Sequence, residues 1–220
     1  MKKHINLIIG LSLVFIFVIW TILIKTVDVT PSGPNDSLIG LSFLNVPFMQ
    51  MINFNKILYD ISDVLMIFII AIPVIFNILI LIIWIKTKKF KKIPVSLIIL
   101  DVGYAAIVML FILFEILELN YRPVLIDGTL EASYPSTHML TSLFILLSAS
   151  FVINKLIKDK KLLKISLNVL IYLLLIVILI TRLLSGVHWI SDMIGGALIS
   201  LGIYYLFVHF VNVFTLKEEK

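Results

Sequence analysis

Short polar or lysine-rich segments divide this sequence into six long apolar runs. A bilayer hydrocarbon layer about 30 Å thick needs about 20 apolar residues for each helical crossing, and each run is close to that length. The sequence therefore predicts an all-α, polytopic membrane protein with six transmembrane helices. The predicted helices cover residues 5–24, 61–85, 94–119, 135–153, 165–184 and 189–214.

The composition excludes a water-soluble domain. Of the 220 residues, 61% are hydrophobic and 14% are charged, and the mean hydropathy is +1.15. Six crossings joined by short loops use the whole length, so we interpret residues 1–220 as a single membrane domain. The chain has no cysteine, which excludes disulfides, thiolate metal sites and a cysteine nucleophile.

The positive charges are arranged as a topology signal and not as a surface for nucleic acid. The net charge is +5, but most lysines lie near the termini and in two loops, 86–92 and 155–164. Short loops rich in Lys and Arg stay cytoplasmic, and this rule places 14 of the 18 Lys and Arg residues on one side. We therefore expect a plasma-membrane protein with both termini in the cytoplasm, no nucleic-acid partner, and outer segments at 26–60, 120–134 and 185–188.

Arginine is rare in this chain, with only Arg122 and Arg182 against 16 lysines. Both arginines follow or end predicted helices on the outer side, close to His138 and His188. A guanidinium group presents a rigid fork of donors that matches two phosphate oxygens, whereas an ammonium group is a point charge. Either arginine taken alone could equally be an interfacial anchor. Together with the two histidines they are candidate phosphate ligands.

His188 and Asp192 form the most specific polar pattern. They are four residues apart at the start of the sixth predicted helix and so share one face. A carboxylate that accepts a hydrogen bond from Nδ1 fixes the tautomer and leaves the Nε2 lone pair free to attack phosphorus. Ser185 and Gly186 break the preceding helix, so Arg182 can face the same site. The alternative for Asp192 is a buried carboxylate satisfied by its own helix, although intramembrane acids are functional by default.

The fourth predicted helix begins with a second polar pattern. Pro135 suits the first helical position, and the backbone amides of Ser136, Thr137 and His138 follow it without intrahelical partners. Such a helix start binds anions. These residues are therefore a candidate phosphate site, with His138 beside the bound group.

In order and spacing, these stretches resemble the type 2 phosphatidic acid phosphatase (PAP2) family, also called the acid phosphatase/vanadium haloperoxidase superfamily. The matching segments are Arg122-Pro123, then Pro135-Ser136-Thr137-His138, then Thr181-Arg182 followed by His188 and Asp192.

The resemblance implies a role for each matched residue. His188 is the nucleophile, Asp192 orients it, and His138 protonates the leaving oxygen. The implied ligands of the phosphate are Arg122, Arg182, Ser136, Thr137 and the amides after Pro135.

Three positions depart from the family pattern. Thr137 replaces a glycine and Thr181 replaces a serine, and both changes keep a backbone donor or a hydroxyl. Glu115 stands six residues before Arg122, where the family has a lysine. The substitution exchanges a cationic phosphate ligand for a carboxylate, which could itself pair with Arg122.

The resemblance implies an integral membrane phosphatase that cleaves a lipid phosphomonoester or pyrophosphate at the outer face through a phosphohistidine. Phosphatidic acid, phosphatidylglycerol phosphate and undecaprenyl pyrophosphate are substrates of the family, and the residues select none of them. No cofactor or metal is expected, because no two histidines are three to five residues apart and no thiolate exists. The alternatives are a lipid phosphotransferase and a lipid-binding member disabled by Glu115. The oligomeric state stays open.

Other intramembrane polar residues are interpreted structurally. Asn77 and Asp101 lie at matching depths in the second and third predicted helices, which predicts an interhelical hydrogen bond. Four acidic residues at the outer ends of the same two helices are interpreted mostly as solvated charges: Asp60, Asp63, Glu115 and Glu118.

Overall fold

The computed structural model describes residues 4–218 as a bundle of seven α-helices without a named strand. The helices are α1 (Ile5–Thr26), α2 (Ser42–Met51), α3 (Lys56–Thr87), α4 (Val95–Leu117), α5 (Thr137–Leu156), α6 (Lys161–Leu184) and α7 (Ile190–Glu218). All except the short α2 are long and apolar enough to cross a membrane, which confirms the prediction of a six-helix, multi-pass membrane protein. Lys2, Lys3 and Lys220, which count toward the predicted sidedness, lie outside the described residues.

The fifth and seventh helices form the centre of the bundle. α7 packs against α1, α4 and α5, and α5 packs against α3, α6 and α7. Buried serines such as Ser142, Ser148 and Ser150 occur along α5, because a helix that faces protein on most sides need not be apolar all round. The other crossing helices expose many large apolar side chains, as a lipid-facing surface requires.

Two adjacent glycines bring α7 close to the segment that begins α5. A Cβ atom added at Gly195 would lie 2.4 Å from Cε2 of Tyr134, and one at Gly196 would lie 2.8 Å from the carbonyl oxygen of Ser136. Both distances are too short for a real contact. The absence of side chains at these two positions therefore allows residues 134–136 to lie directly against α7.

Several helix starts differ from the sequence-based prediction, and side-chain caps explain two of them. α3 begins at Lys56 and not at residue 61, because the Asn55 side chain accepts a hydrogen bond from the amide of Leu58 at 3.1 Å. α5 begins at Thr137, because Ser136 is its N-cap and accepts a hydrogen bond from the amide of Met139. The prediction that Pro135 occupies the first helical position is therefore wrong.

Hydrogen bonds between remote segments order one end of the bundle. The amide of Asn55 donates to the carbonyl of Ser185 at 2.9 Å, and the Trp20 indole donates to the carbonyl of Ser191 at 3.0 Å. Asn45 of α2 both donates to and accepts from Ser191. These bonds connect the chain before α3 to the end of α6, and connect α1 and α2 to the start of α7.

The predicted interhelical pair between α3 and α4 is confirmed. Asn77 Nδ2 donates to Asp101 Oδ1 at 3.2 Å. The same amide also donates to the carbonyl of Pro73 at 3.0 Å. This pair is remote from the end of the bundle at which Asn55 and Ser185 meet.

Candidate active site

The three sequence motifs converge at one end of the bundle. The amide of Ser136 donates to the carbonyl of Asp192 at 3.1 Å, and the Trp189 indole donates to the carbonyl of Tyr121 at 2.6 Å. The loop before α5, the end of α6 and the start of α7 therefore meet around His188. The two lysine-rich loops lie at the other end of the same helices.

His188 lies in the short connection between α6 and α7 and is 4% exposed. Its Nε2 is 3.2 Å from Nη2 of Arg182. A guanidinium group only donates hydrogen bonds, so Nε2 accepts and the ring proton resides on Nδ1. This is the tautomer that the sequence predicts for a nucleophile.

The surroundings of His188 favour its neutral form. Burial lowers the pKa of this imidazole well below its usual range, and the positive charges of Arg182 and Arg122 lower it further. A neutral ring with an unprotonated Nε2 is the form that can attack phosphorus.

Asp192 is completely buried but does not make the predicted hydrogen bond to His188. Its Oδ2 is 3.7 Å from His188 Nδ1, which is too long. Instead, Oδ2 accepts from the amide of Trp189 at 3.0 Å and Oδ1 accepts from Asn120 Nδ2 at 3.2 Å. The carboxylate thus caps the start of α7, as in a capping box, and this cap also places it beside the imidazole.

Arg182 is 2% exposed and is held by side chains of α3 that the sequence analysis does not identify as part of the site. Its Nη1 donates to Ser62 Oγ at 3.1 Å and to Asp63 Oδ1 at 3.2 Å. The Tyr59 ring lies 5.2 Å from the guanidinium carbon. Asp63 is therefore an exception to the interpretation of the four acidic residues as mostly solvated charges.

His138 contacts the same carboxylate. Its Nε2 is 3.0 Å from Oδ1 of Asp63. The oxygen lies off the N–H direction, and neither ring nitrogen of His138 makes an aligned hydrogen bond to a described residue. His138 therefore keeps its donor direction available at the site.

Arg122 pairs with a residue that the sequence analysis also misses. Its Nε is 3.0 Å from Glu131 Oε2, and the two side chains are 13% and 41% exposed. The backbone sets this pairing, since the Arg122 amide donates to the Glu131 carbonyl at 3.0 Å. The expected partner, Glu115, lines the same cavity but makes no ion pair among the described residues.

A cavity of about 170 Å³ lies beside these groups. Four of the predicted site residues line it: Arg122, Pro135, Thr137 and His188. Four apolar side chains also line the cavity: Leu110, Phe111, Phe114 and Leu140. The predicted residues His138, Arg182, Ser136 and Asp192 lie outside this lining.

Several buried nitrogen atoms of the candidate site lack aligned partners within the described residues. They are Nε and Nη1 of Arg122, Nε of Arg182, both ring nitrogens of His138, and Nδ1 of His188. A buried donor without an acceptor costs about 1–3 kcal/mol, so an anion that accepts from several of them is favoured.

The start of α5 adds fewer amides than predicted. The Ser136 amide already donates to Asp192, and its hydroxyl caps the helix. Only the amides of Thr137 and His138 remain free in the predicted set.

Comparisons with known proteins support the family resemblance of the motif-bearing part of the chain. A family model of the PAP2 superfamily matches residues 114–216. A crystal structure of a transmembrane PAP2-type phosphatidylglycerolphosphate phosphatase from Bacillus subtilis is similar over 94% of this chain and 96% of that chain, with a TM-score of 0.62 and 18% identity. No curated protein sequence matches the chain. Residues 114–216, which match the PAP2 superfamily model, hold all three motifs.

Proposed function

We propose that this protein is an integral membrane lipid phosphatase that hydrolyses a phosphomonoester or a pyrophosphate of a lipid at the outer face of the membrane. The observation that carries the proposal is the contact between Arg182 and Nε2 of His188, at 3.2 Å, in a site with unpaired donors. This contact places the neutral nucleophile His188 beside Arg182, a residue that can bind the phosphate. The structurally similar protein is named as a phosphatase of a lipid phosphate, which agrees with this substrate class.

The first chemical step forms a phosphohistidine. Arg182 transfers its hydrogen bonds from Nε2 of His188 to the phosphate oxygens, which frees the lone pair. Nε2 then attacks phosphorus, the P–N bond forms, and the P–O bond to the lipid breaks. His138 donates a proton to the departing oxygen, so the lipid leaves as an alcohol or, from a pyrophosphate, as a lipid monophosphate.

The second step returns the enzyme to its starting state. A water molecule attacks phosphorus, His138 accepts the proton from that water, and the P–N bond breaks. Inorganic phosphate leaves, and His188 is again neutral. Arg122, Arg182 and the amides of Thr137 and His138 stabilise the negative charge of both transition states.

The position of the site supports a lipid substrate. The reactive groups lie at helix ends, which is the level of lipid headgroups, and the apolar side chains Leu110 and Phe111 line the same cavity from α4. A lipid can therefore present its phosphate sideways while its chains stay in the bilayer. The outer face follows from the lysine-rich loops at the opposite end of the helices.

The test is a phosphate-release assay on the purified protein with a panel of lipid phosphates and pyrophosphates, with EDTA present. We expect release of inorganic phosphate by the natural chain and none above background by His188→Ala. His4→Ala, at the exposed histidine just before α1, is the matched control and keeps full activity. Activity that survives His188→Ala, or that disappears with EDTA, contradicts the proposal. Transfer of phosphate to an added alcohol in place of water identifies a phosphotransferase.

A further inference from the structure

Three residues of α3 form one polar face at the candidate site. Tyr59, Ser62 and Asp63 are spaced by three and four residues, so they lie on the same side of the helix. All three contact Arg182, through the ring, the hydroxyl and the carboxylate. This face lies outside residues 114–216, the part that the family model matches.

Asp63 differs from its two neighbours because it contacts a second site residue. A single oxygen, Oδ1, lies 3.2 Å from Nη1 of Arg182 and 3.0 Å from Nε2 of His138. The guanidinium group and the imidazole are thus joined through one carboxylate. Ser62 contacts only Arg182 among these site residues.

We infer that Asp63 is a positioning residue that holds the proton donor His138 in register with the phosphate ligand Arg182. This inference rests on the function proposed above. The negative charge is a counter-charge for an imidazolium at position 138. Because the contact with Oδ1 is not an aligned hydrogen bond, the proton of Nε2 is not committed to Asp63 and can pass to a leaving oxygen.

The geometry gives Asp63 a role that depends on the leaving group. An alkyl oxygen of a lipid needs a proton in order to depart, whereas p-nitrophenolate departs without one. Removal of the charge at position 63 should therefore slow the cleavage of a lipid phosphate much more than the cleavage of p-nitrophenyl phosphate. His138→Ala should show the same selectivity, because Asp63 acts through His138.

A competing role for Asp63 predicts that removal of its charge improves substrate binding and does not slow the reaction. Asp63 is 42% exposed, and its carboxylate could simply occupy the place that a phosphate oxygen takes between Arg182 and His138. In that case the removal of its charge would lower KM for both substrates and leave kcat unchanged.

The experiment compares kcat/KM for a short-chain lipid phosphate and for p-nitrophenyl phosphate in the natural chain, Asp63→Asn and Ser62→Ala. For Asp63→Asn we expect a loss of roughly tenfold or more on the lipid phosphate and of less than about threefold on the aryl phosphate, within the range that a positioned acid contributes. Ser62→Ala should affect both substrates equally, since Ser62 contacts Arg182 but not the proton donor His138.

The matched control is Asp60→Asn. Asp60 lies one turn before Asp63 and forms an exposed pair with Lys56, so its replacement should change neither rate. Asp63→Glu keeps the charge. It should restore much of the natural ratio of kcat/KM for the lipid phosphate to kcat/KM for p-nitrophenyl phosphate, which a folding defect at this position would not do.

Equal losses on both substrates, or a lower KM with unchanged kcat in Asp63→Asn, overturn the inference while the proposed function stands. A natural chain that is inactive on both substrates overturns the proposed function and this inference together.

Discussion

Arg182 and Arg122 are the two arginines of the chain, and the protein holds them in different ways. Arg182 is on a transmembrane helix, is almost completely buried, and has partners on α3 and in the connection to α7. Arg122 is in a loop and pairs with Glu131, which is itself well exposed. A buried, fully packed guanidinium has one orientation, whereas a loop arginine with an exposed partner can adjust. We therefore assign the geometry of the reaction to Arg182 and general attraction for the phosphate to Arg122.

The largest expected effect is that of Arg182→Lys. Lysine cannot contact Ser62, Asp63 and His188 at once, and a small misplacement of a positioning group lowers a rate by roughly 100-fold. We expect a loss of that size in kcat/KM for the lipid phosphate, mostly in kcat. A loss smaller than that of Arg122→Lys in the same assay would reverse the assignment of the two arginines.

Arg122→Lys should have a smaller effect and should act on binding. Lysine keeps the charge but loses the fork. A hydrogen bond to a charged group contributes about 1.5–3 kcal/mol. We expect the lower end of this range for a loop residue with an exposed partner, which is a loss of about tenfold. The loss should appear as a higher KM, which a substrate titration measures. A large fall in kcat with an unchanged KM would mean that Arg122 positions the reacting atoms after all.

The protonation state of His188 tests whether burial and the two arginines keep this ring neutral. Burial and the neighbouring arginines lower the pKa of His188, so its ring should stay neutral as the pH falls through about 6.5, the ordinary value. NMR of the histidine-labelled protein should show a neutral ring with the proton on Nδ1, in a signal that His188→Ala removes. Because the unfolded chain binds a proton that the native chain does not, stability is lost as the pH falls below this ordinary value. A ring that titrates near 6.5 contradicts this account.

Glu131→Gln tests whether Glu131 competes with the substrate for Arg122. The carboxylate competes with a phosphate for the guanidinium group, but partly exposed ion pairs contribute only about 0.2–1 kcal/mol. We therefore expect KM to fall by no more than about fivefold, with kcat unchanged. A higher KM would show that Glu131 holds Arg122 in its binding position and does not compete with substrate.

The smallest effect is expected at a polar pair remote from both arginines. Asn77→Leu and Asp101→Leu each remove the bond between α3 and α4, and such bonds average about 0.6 kcal/mol in membranes. Thermal unfolding in detergent should shift only slightly and similarly for both, with activity retained. A large loss of thermal stability in Asp101→Leu, with none in Asn77→Leu, would show that the two residues do not act as a pair.

Sequence patterns predicted the helices and the motif residues because these signals are local. An apolar run of about 20 residues has few alternatives to a membrane helix. His188 and Asp192 were found from their spacing in a chain that is otherwise poor in polar groups. Their separation did not show that Asp192 caps α7, because a carboxylate in the first turn can reach back to a backbone amide as easily as to a side chain.

The contributions of α3 and of Glu131 could not be found in the same way. Asp63 enters the site because α3 packs beside α5 and α6, and this packing is set by contacts between segments far apart in the chain. Its only local signal is the spacing of Tyr59, Ser62 and Asp63, a polar face on an apolar helix. Glu131 reaches Arg122 through pairing of the loop backbone, for which a single sequence offers no periodic pattern.

Isolation of the phosphorylated enzyme tests the central claim most directly. A single turnover with a lipid phosphate, stopped in alkali to preserve phosphohistidine, is followed by mass spectrometry of the digested protein. The account predicts one phosphate on His188, which is absent from His188→Ala. A phosphate on His138 or on any other side chain would contradict it.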